Sequence, residues 1–321
     1  MTAASDPGAQ GAAKAGHVSV GPVLRSMLFV PGDSERKQTK ALGTPADALI
    51  LDLEDSVSAS QLPVARSRVR DLLLSTPNRS QQQLWVRLNA LPSGHLLEDL
   101  VAVFPGAPDG LVLPKVSSAA ELCQVSHYLT ALEAQSARAV GSTKLMAIAT
   151  ETPLALLNLP RYAEVLAAES DATRRLVIER LAGLTWGSED LSAALGANAK
   201  VDVNGDQTFT FQYARSLCLI GAAALEVPAI DGVCANFRDS AALETQAAAA
   251  RRDGFSGKLA IHPDQVPAIN SAFSPTEPEL ARARRIVAAF AASPDAGVLN
   301  FDGEMIDRPH LTQARRLLAR V

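Results

Sequence analysis

Three kinds of signal are missing from this sequence, and each absence removes a class of function. No C-x-x-C pair occurs, and Cys123, Cys218 and Cys234 are too few and too scattered to suggest a disulfide framework or a zinc site. A cytoplasmic, reducing environment suits such a chain. No apolar run approaches the roughly 18 to 20 residues that a membrane-spanning helix needs, so no membrane partner is expected. Nor is there a dense basic run, and a formal net charge of -4 with a pI near 5.8 gives no general pull toward nucleic acid. Small-molecule chemistry is the class left standing.

What the sequence does contain is apolar bulk. Its 321 residues are 47% hydrophobic and 20% charged, enough for one large core. Residues 1–20 are rich in Ala, Gly and Ser without a basic segment leading into an apolar one, so they are expected to form a disordered tail rather than a secretory signal.

From there the chain alternates short apolar runs with segments of helical spacing. The expected strands are Met27–Val30, Ala48–Leu53, Leu84–Leu88, Gly110–Val116, Leu145–Thr150, Leu181–Trp186, Ile230–Phe237 and Lys258–Ile261. Near-continuous apolar strands fit a parallel sheet covered on both sides, and eight β-then-α units predict an α/β fold, a (β/α)8 TIM barrel over residues 21–265. The doubly wound alternative lacks a G-x-G-x-x-G after the first strand. Residues 266–321 form a C-terminal helical extension, with Ser274 as N-cap before Pro275 and an Asp302-Gly303 turn between two short runs.

A barrel should gather its chemistry where the strands end. Pro31-Gly32-Asp33-Ser34 follows strand 1, and Asp52, Glu54 and Asp55 close strand 2. Arg87 and Asn89 lie on strand 3, Lys115 on strand 4, Glu151 after strand 5, Glu189-Asp190 after strand 6 and His262 after strand 8. Buried charges need partners or a metal, so this distribution points to a hard-cation site rather than to a solvated surface. Read as structure alone, Glu151 would favour a helix dipole, Asp190 would cap a helix, and Arg87 would bridge to Asp52 or Glu54.

The blocks RSMLFVPGDSERKQTKAL, ADALILDLEDSV, WVRLNAL, GLVLPKV, ATET, GLTWGSEDLSAALG, RDGFSGKLAIHPDQV and DGEMIDRPHLTQA, in this order over residues 25–315, resemble the citrate lyase β-subunit-like family. That family sits within the HpcH/HpaI aldolase group, alongside malyl-CoA and citramalyl-CoA lyases. The resemblance implies a Mg²⁺-dependent enzyme that cleaves or forms a carbon–carbon bond in a 3-hydroxyacyl-CoA thioester. Its alternatives are a malyl- or citramalyl-CoA thioesterase, a class II pyruvate aldolase acting on a 2-oxo acid, and an accessory β subunit.

Carried onto this chain, the resemblance implies Glu151 and Asp190 as metal ligands, and oxygen donors of that kind suit Mg²⁺. Arg87 would grip the substrate carboxylate bidentately. Asp52, Glu54 and Lys115 would support the site from behind. Arg25 precedes strand 1 and so belongs on the opposite face, although the family pattern begins there and implies contact with the thioester. Asp307 matches an aspartate that looks catalytic and is delivered from the next subunit of a homo-oligomer, a trimer or hexamer, with His262 and His310 competing for proton transfer. Its plainer role is the N-cap of a last helix. Glu151 and Asp190 are 39 positions apart, a long spacing for the family, and the extra length falls around Pro160–Glu179.

Overall fold

The computed structural model describes residues 23–320, and the expected tail at 1–20 lies outside them. Leu24–Ser274 forms one compact unit and the chain from Pro275 onward forms another. The first unit is a closed barrel of eight parallel strands in sequence order, β1 pairing with β8 to complete the ring.

Its elements run β1 (Ser26–Pro31), α1 (Glu35–Leu42), β2 (Ala48–Asp52), α2 (Leu62–Ser75), β3 (Gln83–Arg87), α3 (Leu96–Val103), β4 (Gly110–Leu113), α4 (Ala119–Gln135) and β5 (Lys144–Ile148). They continue with α5 (Pro153–Asn158), α6 (Tyr162–Ala167), α7 (Asp171–Arg180), β6 (Leu181–Thr185), α8 (Ser188–Leu195), α9 (Phe209–Ala224), β7 (Ala229–Asp231), α10 (Ser240–Asp253), β8 (Gly257–Ala260) and α11 (Val266–Phe273). The (β/α)8 expectation is met.

Strand alternation explains why these runs are apolar throughout. One set of side chains, including Met27, Ile50, Trp85, Met146 and Leu259, fills the barrel interior. The other set, including Leu28, Leu49, Val86, Leu111 and Leu145, meets the helices. Trp85 pairs in register with Gly110, and a β-carbon at Gly110 would lie within 2.5 Å of the Trp85 ring. The indole occupies space that only glycine leaves.

Two expected strands are too long. The fourth stops at Leu113, because Pro114 has no N–H to offer the ladder and Lys115 takes a positive φ of 54°. The seventh stops at Asp231, three residues long, and the following loop is held instead by Gln265, whose amide donates to the Cys234 carbonyl at 2.9 Å. The extra length before β6 consists of α5, α6 and α7, with α6 and α7 packed on α4.

The second unit carries α12 (Glu277–Ala292), the antiparallel hairpin β9 (Val298–Phe301) and β10 (Glu304–Asp307), and α13 (Arg308–Leu318), with Asp302-Gly303 at the hairpin turn. Ile286, Phe290, Phe301, Ile306 and Leu311 form its own small core. Ser274 is not the cap of α12. Thr276 is, in a capping box with Glu279, while the Ser274 hydroxyl accepts from Arg25.

Candidate active site

A cavity of about 750 Å³ opens where the barrel strands end. Its wall includes Pro31 of β1, Asp52 of β2, Arg87 of β3, Glu151 after β5, Asp190 of α8 and His262 after β8. Adjacent parallel strands in register deliver these groups to one level, as in the Asp52–Arg87 pairing of β2 with β3.

The best-organised part is a fork. Arg87 donates from Nε to Asp52 Oδ1 at 2.6 Å and from Nη2 to Asp52 Oδ2 at 2.8 Å. Asp52 also accepts the backbone N–H groups of Glu54 and Ser56. Burial alone would raise the Asp52 carboxyl, but the Arg87 hydrogen bonds and charge outweigh it and hold the group low. Arg87 is likewise kept protonated against burial, chiefly by Asp52, and its guanidinium lies over the Phe29 ring at 4.8 Å.

Around that fork, acid outnumbers base. Lys115 Nζ contacts Glu54 and lies 3.2 Å from Asp190 Oδ1 and 3.5 Å from Asp55 Oδ1. Arg87 and Lys115 are therefore two cations shared by five carboxyl groups: Asp52, Glu54, Asp55, Glu151 and Asp190. Glu54 Oε2 lies 3.0 Å from Arg87 Nη1, close enough for attraction but without hydrogen-bond geometry, and it has no hydrogen-bond partner. Burial first, then Asp55, push the Glu54 carboxyl up to about 7.

Glu151 is the most affected. It is 4% exposed, and its Oε2 accepts the Lys115 N–H at 2.6 Å. Burial, joined by the negative charges of Asp190 and Glu54, raises its carboxyl to about 8. A carboxylate in that position lacks a cation. Glu151 and Asp190 offer oxygen donors only, and no set of three or more His, Cys, Asp or Glu side chains forms a complete cage among the described residues. Such a pair fits Mg²⁺, which is bound through one or two carboxylates and keeps water or substrate oxygens in its remaining positions.

The neighbouring acid behaves differently. Glu189 pairs with Lys200, whereas Asp190 turns toward Lys115. His262 stacks on Phe237 at 4.5 Å and accepts the Asp264 N–H on Nδ1. Arg25 is not brought to the site. It stands before the first residue of β1, with Nε and Nη2 bound to Asp47 at 2.9 and 2.7 Å and Nη1 bound to Ser274. Its fork is spent at the opposite end of the barrel. Asp307 lies in the second unit as the N-cap of α13, 2.6 Å from His310 Nδ1.

Sequence reasoning missed two features. Gly187 packs so close to Glu151 that a β-carbon there would lie 2.7 Å from its Cγ. Arg36, Lys37 and Lys40 of α1 line the cavity. Their helical spacing was visible, but only the fold turns that face toward the cavity.

The model of the HpcH/HpaI aldolase/citrate lyase family matches residues 25–263. The citrate lyase subunit beta of Escherichia coli K12 is 34% identical over 298 residues, covering 92% of each chain. A (3S)-malyl-CoA thioesterase of Cereibacter sphaeroides is also 34% identical, over 92% of this chain and 94% of its own. Among solved structures, CitE of Mycobacterium tuberculosis in complex with magnesium, acetoacetate and coenzyme A superposes with a TM-score of 0.70 at 31% identity, covering 93% of this chain and 98% of that one.

Proposed function

The chain belongs to the HpcH/HpaI aldolase/citrate lyase family, and from that premise we propose a Mg²⁺-dependent carbon–carbon lyase acting on a 3-hydroxyacyl-CoA thioester of the malyl- or citramalyl-CoA kind. The observation that carries this reading is Glu151, a buried carboxylate under-supplied with positive charge beside Asp190 at the mouth of a barrel. Bound by these two groups, Mg²⁺ would supply a Lewis acid for the substrate's carboxylate and adjacent oxygen. Arg87 holds the substrate acid with the N–H groups that Asp52 leaves free, and Asp52 keeps the guanidinium in plane. Lys115 and Glu54 hold the surrounding charge in place.

In the cleavage direction the hydroxyl proton leaves, the bond to the thioester α-carbon breaks, and a 2-oxo acid forms. The thioester enolate then takes up a proton. We assign that proton handling to Asp307 of a neighbouring subunit in a homotrimer or homohexamer. Three free, buried cysteines support a cytoplasmic setting. The barrel is assigned to residues 21–265 and the subunit-bridging extension to 266–321.

The malyl-CoA thioesterase relative supports a second reading, in which water attacks the thioester carbonyl. One experiment separates them: a chromatographic time course with malyl-, citramalyl- and citryl-CoA, with Mg²⁺, with EDTA, and with Glu151→Gln. Metal-dependent acetyl-CoA plus a 2-oxo acid supports the lyase. Free CoA plus hydroxy acid supports the thioesterase, and no turnover without added carrier and transferase subunits overturns a self-sufficient enzyme.

A further inference from the structure

The cavity has two poles. Its acidic end holds Glu151 and Asp190, while α1 contributes Arg36, Lys37 and Lys40 to the wall. All three α1 bases are exposed, and among the described residues none makes an ion pair or side-chain hydrogen bond.

Local helix physics opposes this arrangement. Arg36 and Lys40 are i,i+4 neighbours and Lys37 and Lys40 are i,i+3 neighbours, so each pairing sets like charges together. Arg36 and Lys37 also fall in the first turn, where the helix dipole disfavours cations. The only acid in α1 is Glu35. The helix is nevertheless firmly seated: Gln38 is buried and donates to the Gly32 carbonyl at 2.9 Å, and Ala41 packs in the core. Three unpaired cations are thus held at the cavity by a rigid edge, an arrangement that an anionic ligand would relieve.

We propose that Arg36, Lys37 and Lys40 form the seat for the phosphorylated tail of the thioester carrier, the acyl end lying at the acidic pole. The assignment rests on the thioester reading above. It selects a free nucleotide-bearing coenzyme over a carrier protein: a phosphopantetheine arm on a protein brings a single phosphodiester, whereas a coenzyme tail brings a diphosphate and a ribose phosphate. Three cations answer the second better than the first.

The test uses adenosine 3′,5′-bisphosphate, which carries phosphates but no acyl group. Calorimetry on the full chain should show binding that weakens with salt and falls about tenfold or more in R36Q/K37Q/K40Q, with partial losses in each single variant. Wild-type protein that does not bind the probe, or a triple variant that binds it equally well, overturns the proposal. A kinetic arm compares a CoA thioester with the matching pantetheine thioester. The wild-type preference in kcat/KM for the CoA form should shrink about tenfold or more in the triple variant, and an unchanged preference overturns the proposal. Because calorimetry needs no turnover, probe binding that depends on these bases together with inert thioesters would sink the lyase reading and leave an anion seat.

Discussion

Glu133 of α4 and Glu151 after β5 are both buried carboxylates of the barrel unit, 0% and 4% exposed, yet burial has opposite outcomes for them. Glu133 accepts from Arg180 at 2.6 and 2.9 Å, from the N–H groups of Gly141 and Thr143 at 2.8 Å each, and from the Ser142 hydroxyl. Burial raises its carboxyl, but these donors overcome that and bring it down to about 2. Glu151 has one strong donor, the Lys115 N–H, and two acidic neighbours, and it rises to about 8. The first carboxylate is complete and ties α4 to α7. The second is incomplete, which is what distinguishes a binding site from a structural pair.

The largest effect is expected from breaking the complete pair. Arg180→Met strands a fully buried carboxylate and should cost about 3–5 kcal/mol of stability, read from urea unfolding. A loss below about 1 kcal/mol would mean that water reaches Glu133, and the comparison would fail. At the incomplete site the corresponding change runs the other way. Glu151→Gln removes a charge the fold does not support, so the metal-free protein should unfold no more easily, while Mg²⁺ affinity drops about 100-fold or more by calorimetry.

The raised carboxyl also sets a pH dependence. With a folded value of about 8 against an ordinary 4.5, the metal-free folded protein keeps a proton at Glu151 that the unfolded chain has released. The stability this confers is complete at low pH and is lost as pH climbs from about 4.5 through about 8; Glu54, at about 7, acts in the same direction. Mg²⁺ competes with that proton. Its apparent affinity should rise by up to about tenfold per pH unit to near pH 8 and then level off, with protons released on binding. A flat calorimetric profile from pH 6 to 8 would show Glu151 already ionised.

The barrel and its catalytic face were legible because both rest on local chemistry. Apolar runs of strand length mark the ring, and a charge at the end of each run marks the face. Relations set by three-dimensional approach were less so. Pro114 ended β4 early, Thr276 rather than Ser274 capped α12, and Arg25, despite its place in a family block, is committed to Asp47 at the other end of the barrel. The choice between Glu189 and Asp190 likewise depends on where Lys200 and Lys115 stand, which spacing alone does not reveal.

The smallest expected effect comes from Gly187, where the comparison is sharpest. Its backbone angles, φ -124° and ψ 122°, are ordinary for any residue, so the constraint there is space rather than conformation. A β-carbon would sit 2.7 Å from Glu151 Cγ and 2.8 Å from Oε1. The Glu151 side chain can yield, but Oε2 is held by the Lys115 N–H, so the displacement falls on the oxygen that faces the metal position. Gly187→Ala should therefore weaken Mg²⁺ binding by about tenfold, near 1.4 kcal/mol, with little change in unfolding temperature. Unchanged affinity would show slack around Glu151. A large stability loss with normal affinity would instead make this contact part of the packed core, on the same footing as Glu133.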